Sequence, residues 1–176
     1  MEDLSVLDPL CIKWLFDFAF DAYQNKNTRG AEMRQGGLYP YMLHPTWAAT
    51  TLVMDIGISQ PERVVGFQIL MLHDVLEDTS ASLPDWVSQE VVDGVNVLTH
   101  ETWEQEKRDV EAMPVRYKLF VLLDKLQTMM ELGVRKEEKR PEWKHMVEML
   151  TDAVEETYGK TKTVVLARAL LQDTPW

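Results

Sequence analysis

Cysteine is nearly missing. Cys11 is the only one in 176 residues. An internal disulfide and a cysteine-based zinc site are thereby excluded. Set among the apolar residues of the first predicted helix, Cys11 reads as a small buried hydrophobe. Long hydrophobic runs are missing too. None approaches the ~20 residues needed to cross a bilayer, so no membrane partner is expected. Positive charge is scarce: 18 Lys and Arg stand against 29 Asp and Glu, a formal net charge of -11. Binding a phosphate backbone needs a basic face, so nucleic acid is not an expected partner. The one basic cluster, Arg135, Lys136, Lys139 and Arg140, is diluted by Glu137 and Glu138 and reads as a solvated loop. An anionic substrate would need local positive charge against this field, and a bound cation can supply it. Glu2 and Asp3 begin the chain without the layout of a signal peptide, so a cytoplasmic location is expected.

Strand signals are almost absent, since no run between turn residues alternates cleanly between apolar and polar. Helical periodicity dominates. Asp8-Pro9 is an N-cap followed by proline, with Leu10, Trp14, Leu15, Phe18 and Ala22 at three- and four-residue steps. Residues 25–41 are polar, carry three glycines and read as a loop. A second helix is predicted from His44-Pro45 to Gly57. A third runs from Ser59 and Pro61 to about Leu76, and a fourth from Ser82 and Pro84 to about Leu98. Residues 99–113 leave room for a short helix. Pro114 opens a long one that ends at Gly133. Pro141 and Gly159 bracket another, and residues 160–172 form the last. The expectation is a single all-α domain over residues 1–176, with about seven helices around one core.

The sharpest feature is Leu72-His73-Asp74-Val75-Leu76-Glu77-Asp78-Thr79, with four ionisable residues in six positions after an apolar stretch. A continuous helix would pair His73 with Glu77 and Asp74 with Asp78. Carboxylates at the end of a buried helix are costly unless something compensates. A divalent metal is the simplest compensation, and imidazole and carboxylate suit zinc, manganese, iron or cobalt. His44 opens an apolar helix and by itself reads as a cap or a packed core residue. Asp124 interrupts the series Leu119, Phe120, Val121, Leu122, Leu123 and Leu126. Such an acid needs a metal, an arginine or a lysine beside it.

The order His44, His73-Asp74, Asp124 on successive helical segments resembles the HD phosphohydrolase superfamily. Tyr39-Pro40-Tyr41-Met42-Leu43-His44-Pro45 is similar to that family's proline–tyrosine–x–x–histidine–proline signature. His73 to Thr79 is similar to its histidine–aspartate–x–x–glutamate–aspartate–threonine signature. Val92-Asp93-Gly94-Val95 is similar to the glycine–valine turn that follows, and Lys118 to Leu126 to the aspartate helix. The version of the motif is nearest to the RelA/SpoT-type alarmone hydrolases, including the small stand-alone ones, over roughly residues 30–132.

The resemblance implies an HD domain that binds a divalent metal, usually manganese, through His44, His73, Asp74 and Asp124. It implies that Glu77 and Asp78 orient the attacking water and take its proton. It places Tyr41 beside the nucleotide. Arg34 joins it as a base- or phosphate-contacting arginine if one residue is inserted before Tyr41. The implied reaction is hydrolysis of the 3′ pyrophosphate of (p)ppGpp, with a small-molecule nucleotide as the partner. The chain departs from the alarmone pattern in the nucleotide-facing shell. Thr128 stands in place of an asparagine, Val121 in place of a lysine, and Arg34 is followed by Gln35 rather than a second basic residue. Lys118 and Lys125 match the stand-alone type, and with Thr128 complete the expected substrate contacts. These departures keep a second class open, a (deoxy)nucleoside mono- or triphosphate phosphohydrolase. A non-catalytic nucleotide-binding HD domain would be marked by a broken ligand set, and every ligand position here is filled.

Other residues are assigned bland roles. His100 reads as a surface turn residue, and His145 as structural or exposed. Trp103 reads as a packing residue, with base stacking as the alternative. Trp14, Trp47, Trp86 and Trp143 read as core anchors. Glu101, Glu104, Glu106, Asp109 and Glu111 read as a solvated acidic face.

Overall fold

Prolines and small polar residues punctuate the apolar periodicity, and the helices break close to them. A computed structural model describes residues 9–26, 33–34, 39–131 and 140–173. The basic cluster at residues 135, 136 and 139, and Gln35, lie outside the described residues. In chain order the elements are α1 (Pro9–Asn25), β1 (Met33–Arg34), β2 (Tyr39–Pro40), α2 (Leu43–Met54), α3 (Gln60–Leu72) and α4 (Val75–Asp78). They continue as α5 (Gln89–Leu98), α6 (Trp103–Ala112), α7 (Val115–Glu131), α8 (Arg140–Tyr158) and α9 (Lys162–Asp173). The all-α expectation holds. Of the stretch read as a loop, Met33–Arg34 and Tyr39–Pro40 pair as a two-residue antiparallel ribbon.

The bundle is organised around α7. Leu119, Phe120, Leu122, Leu123 and Leu126 are fully buried in it. Helices α2 and α8 pack along α7, α3 packs on α2 and α5, and α9 closes on α8. Three of the tryptophans in helices and loops are not the buried anchors their spacing suggested. Trp14 is 51% exposed and Trp86 41%. Trp143 is half-buried on α8, where it meets Trp103. Among the described residues, no helix is long and apolar enough to cross a membrane.

The helix expected to run to Leu76 ends at Leu72 instead. His73 keeps helical backbone angles, but Asp74 (φ -88, ψ -3) turns the chain before the four-residue α4. The break has a physical reason. His73 and Asp74 are adjacent in sequence, and an unbroken helix would point them about 100° apart. The turn lets both reach one point. Two other helices have caps the periodicity missed. Ser88, rather than Ser82, caps α5 by accepting from Val91 N, and Thr102 caps α6 by accepting from Gln105 N.

Helices α2, α3 and α7 come together at Gly66. A Cβ there would lie 2.4 Å from Leu52 Cδ2 and 2.6 Å from Phe120 Cε1. Gly66→Ala is therefore expected to destabilise the fold by about 1–3 kcal/mol through overpacking. This would occur despite alanine's helix propensity, which is better by about 1 kcal/mol. A lower urea midpoint at an unchanged slope would show it; a midpoint at or above that of the parent would refute the close approach.

Candidate metal centre

Helix α2 brings in His44 from its first turn, α3 ends at His73, the turn before α4 carries Asp74, and the middle of α7 supplies Asp124. One ligand atom each from His44, His73 and Asp124 lie within 4.8 Å of one another. His44 Nε2 is 2.8 Å from Asp124 Oδ1 and 3.5 Å from Asp74 Oδ2. His73 Nε2 is 3.1 Å from Asp74 Oδ1 and 3.6 Å from Asp124 Oδ1. Four residues spread over 81 positions thus converge on one point.

Both imidazoles are oriented from behind. His73 Nδ1 lies 2.7 Å from the Leu70 carbonyl, and His44 Nδ1 meets the Gln127 side-chain oxygen. An acceptor behind each ring holds a proton on Nδ1, so Nε2 is the nitrogen that faces the cluster and would give up its proton to a bound cation. His73 Nε2 is buried and makes no hydrogen bond. A cation completing these atoms would remove that deficit, so the donor set fits a divalent ion. Gln127 escaped the sequence reading. Its signal was a polar residue in the apolar run of α7, three positions after Asp124.

The charges respond to each other. Burial pushes the His73 imidazole down, but the Asp74 and Asp124 carboxylates outweigh it and raise the pKa to about 9. Burial pushes Asp124 up. The Lys125 ammonium and the two imidazoles outweigh that and hold it well below the usual carboxylate range. Lys125 is itself buried. Its Nζ lies 2.8 Å from Asp124 Oδ2 and 2.5 Å from Glu106 Oε1, and these carboxylates hold it above the ordinary lysine range against burial.

A cavity of about 330 Å³ opens on the cluster. Its inner wall carries Tyr41, Glu77 and Asp78 beside the four converging residues. The Tyr41 hydroxyl reaches Asp74 Oδ2 at 2.8 Å and also contacts Asp78. The ring of Tyr41 stacks on Tyr23, 5.1 Å between centroids, and this fixes its position. Further lining comes from Leu98, from His100 to Trp103, and from Glu106 and Trp143. Trp103 stacks on Trp143 at 5.4 Å and 13°, with Lys125 Nζ 5.7 Å from the first ring and 5.4 Å from the second.

Several expectations change here. His100 is no surface turn residue: it is 6% exposed and lines the cavity. Glu106 leaves the solvated acidic face to pair with Lys125, whereas Glu104 and Asp109 stay exposed. Thr128 is buried in the cavity wall, its hydroxyl donating to the Asp124 carbonyl at 3.2 Å. Lys118 is not brought to the cavity. Its Nζ donates instead to the Glu111 carbonyl at 3.0 Å, because it lies near the start of α7, beside the end of α6. The backbone of Arg34 pairs with Tyr39, and its side chain lies outside the described residues.

No protein-family model matches the sequence, and no curated protein matches it. A solved structure does. It belongs to a metazoan ortholog of SpoT that hydrolyzes ppGpp and plays a role in starvation responses. It matches with a TM-score of 0.67 and 21% identity over 91% of this chain and 93% of that one. The likeness lies in the fold: the chain shares the all-helical architecture of that structure.

Proposed function

We propose that this chain is a metal-dependent nucleotide phosphohydrolase, and that its substrate is (p)ppGpp, cleaved at the 3′ pyrophosphate. The observation that carries the reading is the convergence of His44, His73, Asp74 and Asp124 beneath a cavity that also holds Glu77 and Asp78. The substrate assignment is supported by the signature at His73–Thr79 and by the ppGpp hydrolysis of the structural neighbour.

His44, His73, Asp74 and Asp124 would hold the metal, with manganese preferred and zinc, iron or cobalt as alternatives. When bound, such an ion lowers the pKa of water and neutralises charge on phosphoryl oxygens. The remaining work falls to the chain. Asp78, in contact with the Tyr41 hydroxyl, orients the attacking water. Glu77 takes its proton on a carboxylate oxygen. Tyr41, Lys125 and Thr128 line the space for the nucleotide, with Arg34 as a further contact. Lys125 acts chiefly by offsetting the acidic wall, since Asp124 and Glu106 already engage its ammonium.

A second reading, a (deoxy)nucleoside mono- or triphosphate phosphohydrolase, is favoured by one observation. Thr128, which departs from the alarmone pattern, stands in the cavity wall, while Lys118, which matches that pattern, is diverted from the cavity. Product analysis separates the two. Manganese-loaded protein incubated with ppGpp is expected to yield GDP and pyrophosphate faster than it turns over any nucleoside mono- or triphosphate. Intact ppGpp beside a cleaved deoxynucleotide would overturn the alarmone assignment and establish the second reading.

A further inference from the structure

His100 stands apart from the machinery described above. It follows α5, is 6% exposed, and lines the same cavity as the metal-ligand cluster. Its Nε2 is buried and makes no hydrogen bond. The nearest carboxylate oxygen, Asp109 Oδ2, is 3.7 Å away, beyond hydrogen-bond reach. Asp109 is itself half in solvent, with its side chain 48% exposed. A buried imidazole nitrogen left in this state is costly, and native folds retain such groups where a ligand supplies the partner.

The chemistry of the cavity says what that ligand offers. Four other donors around it are engaged: the Tyr41 hydroxyl on carboxylates, the Thr128 hydroxyl on a backbone carbonyl, the Trp103 indole on Glu142, and the Lys125 ammonium on two acids. Much of the remaining polar lining is carboxylate, as at Glu77, Asp78 and Glu101. An anionic ligand has few places to be received in such a wall. His100 is one.

We propose that His100 is a phosphate-binding residue: its Nε2–H donates to a phosphate oxygen of the bound nucleotide, on the cavity wall contributed by the segment between α5 and α6. The proposal rests on reading the site as a nucleotide phosphohydrolase, and it adds a contact that the HD motifs do not include. His100 acts on binding, not on the proton transfers at Glu77 and Asp78.

Glutamine can place an N–H donor where Nε2 stands, and leucine fills the space without one. Inorganic pyrophosphate is titrated calorimetrically into the manganese-loaded full chain of the parent, His100→Leu and His100→Gln. The expected result is an affinity at least about tenfold weaker in His100→Leu, as for loss of a hydrogen bond to a charged group, with most of it restored in His100→Gln. With whichever nucleotide the parent cleaves, KM should rise in His100→Leu while kcat stays within about threefold. Unchanged pyrophosphate affinity in a folded His100→Leu overturns the proposal. So does an equal loss in both variants, which would mark a packing role, and so does a parent that binds no pyrophosphate. Because the binding assay needs no turnover, the two ideas fail separately. A parent inert on ppGpp whose pyrophosphate binding still depends on His100 would lose the alarmone assignment and keep the phosphate contact.

Discussion

Asp124→Ala is expected to lose manganese affinity by at least about 100-fold and to reduce hydrolysis to background. Even groups that only support metal ligands are worth about 10–100-fold, and Asp124 sits among the ligand atoms themselves. Its Oδ1 is 2.8 Å from His44 Nε2 and 3.6 Å from His73 Nε2, so its removal leaves two imidazoles and one carboxylate. The same carboxylate also pairs with Lys125. Lys125 would keep Glu106, so the fold should survive with a loss of about 1–3 kcal/mol rather than the larger penalty of a fully stranded buried charge. Metal content after dialysis, read beside a denaturant melt, separates the two effects. A folded Asp124→Ala protein that retains manganese as the parent does would refute the assigned centre.

Glu77→Gln is expected to lower kcat by about 10²–10⁴-fold while manganese uptake stays as in the parent. Glu77 lines the cavity beside His73 and Asp74 but is not among the residues whose ligand atoms cluster. Removing its charge should therefore spare the metal and remove only the proton acceptor. At about 1.36 kcal/mol per tenfold change, the range corresponds to about 3–5 kcal/mol of transition-state stabilisation. The variant keeps shape and hydrogen-bonding capacity, so a packing role would leave kcat nearly intact. Normal kcat in Glu77→Gln would assign the base elsewhere, with Asp78 the next candidate because it shares the cavity and contacts Tyr41.

The helix-rich class and most helix positions were legible because they depend on local physics. Three- and four-residue apolar steps, proline at helix starts and small polar caps act over a few residues. α1, α2, α7, α8 and α9 accordingly begin and end near their predicted bounds. The starts of α5 and α6 were harder to see. Ser82 and Ser88 are equally good capping residues in isolation, and only packing of the 81–88 segment selects the second. The break after Leu72 was hidden for a similar reason. Nothing in Leu72-His73-Asp74-Val75 is a helix breaker, and the turn at Asp74 exists to bring two adjacent side chains to one point.

By itself the sequence determined the all-helical class, the exclusion of disulfides and the residue types able to bind a metal. These follow from composition and short-range periodicity. Only the tertiary structure decided which polar residues meet. His44 and Gln127, Lys125 and Glu106, and the Trp103–Trp143 stack join positions that are distant in sequence. It also moved His100 from an assumed surface turn to a buried place in the cavity wall and kept Lys118 out of it. The physical reason is that burial and electrostatic pairing are properties of the packed core. A polar residue acquires them from elements far along the chain, and its neighbours in sequence carry no record of which elements those will be.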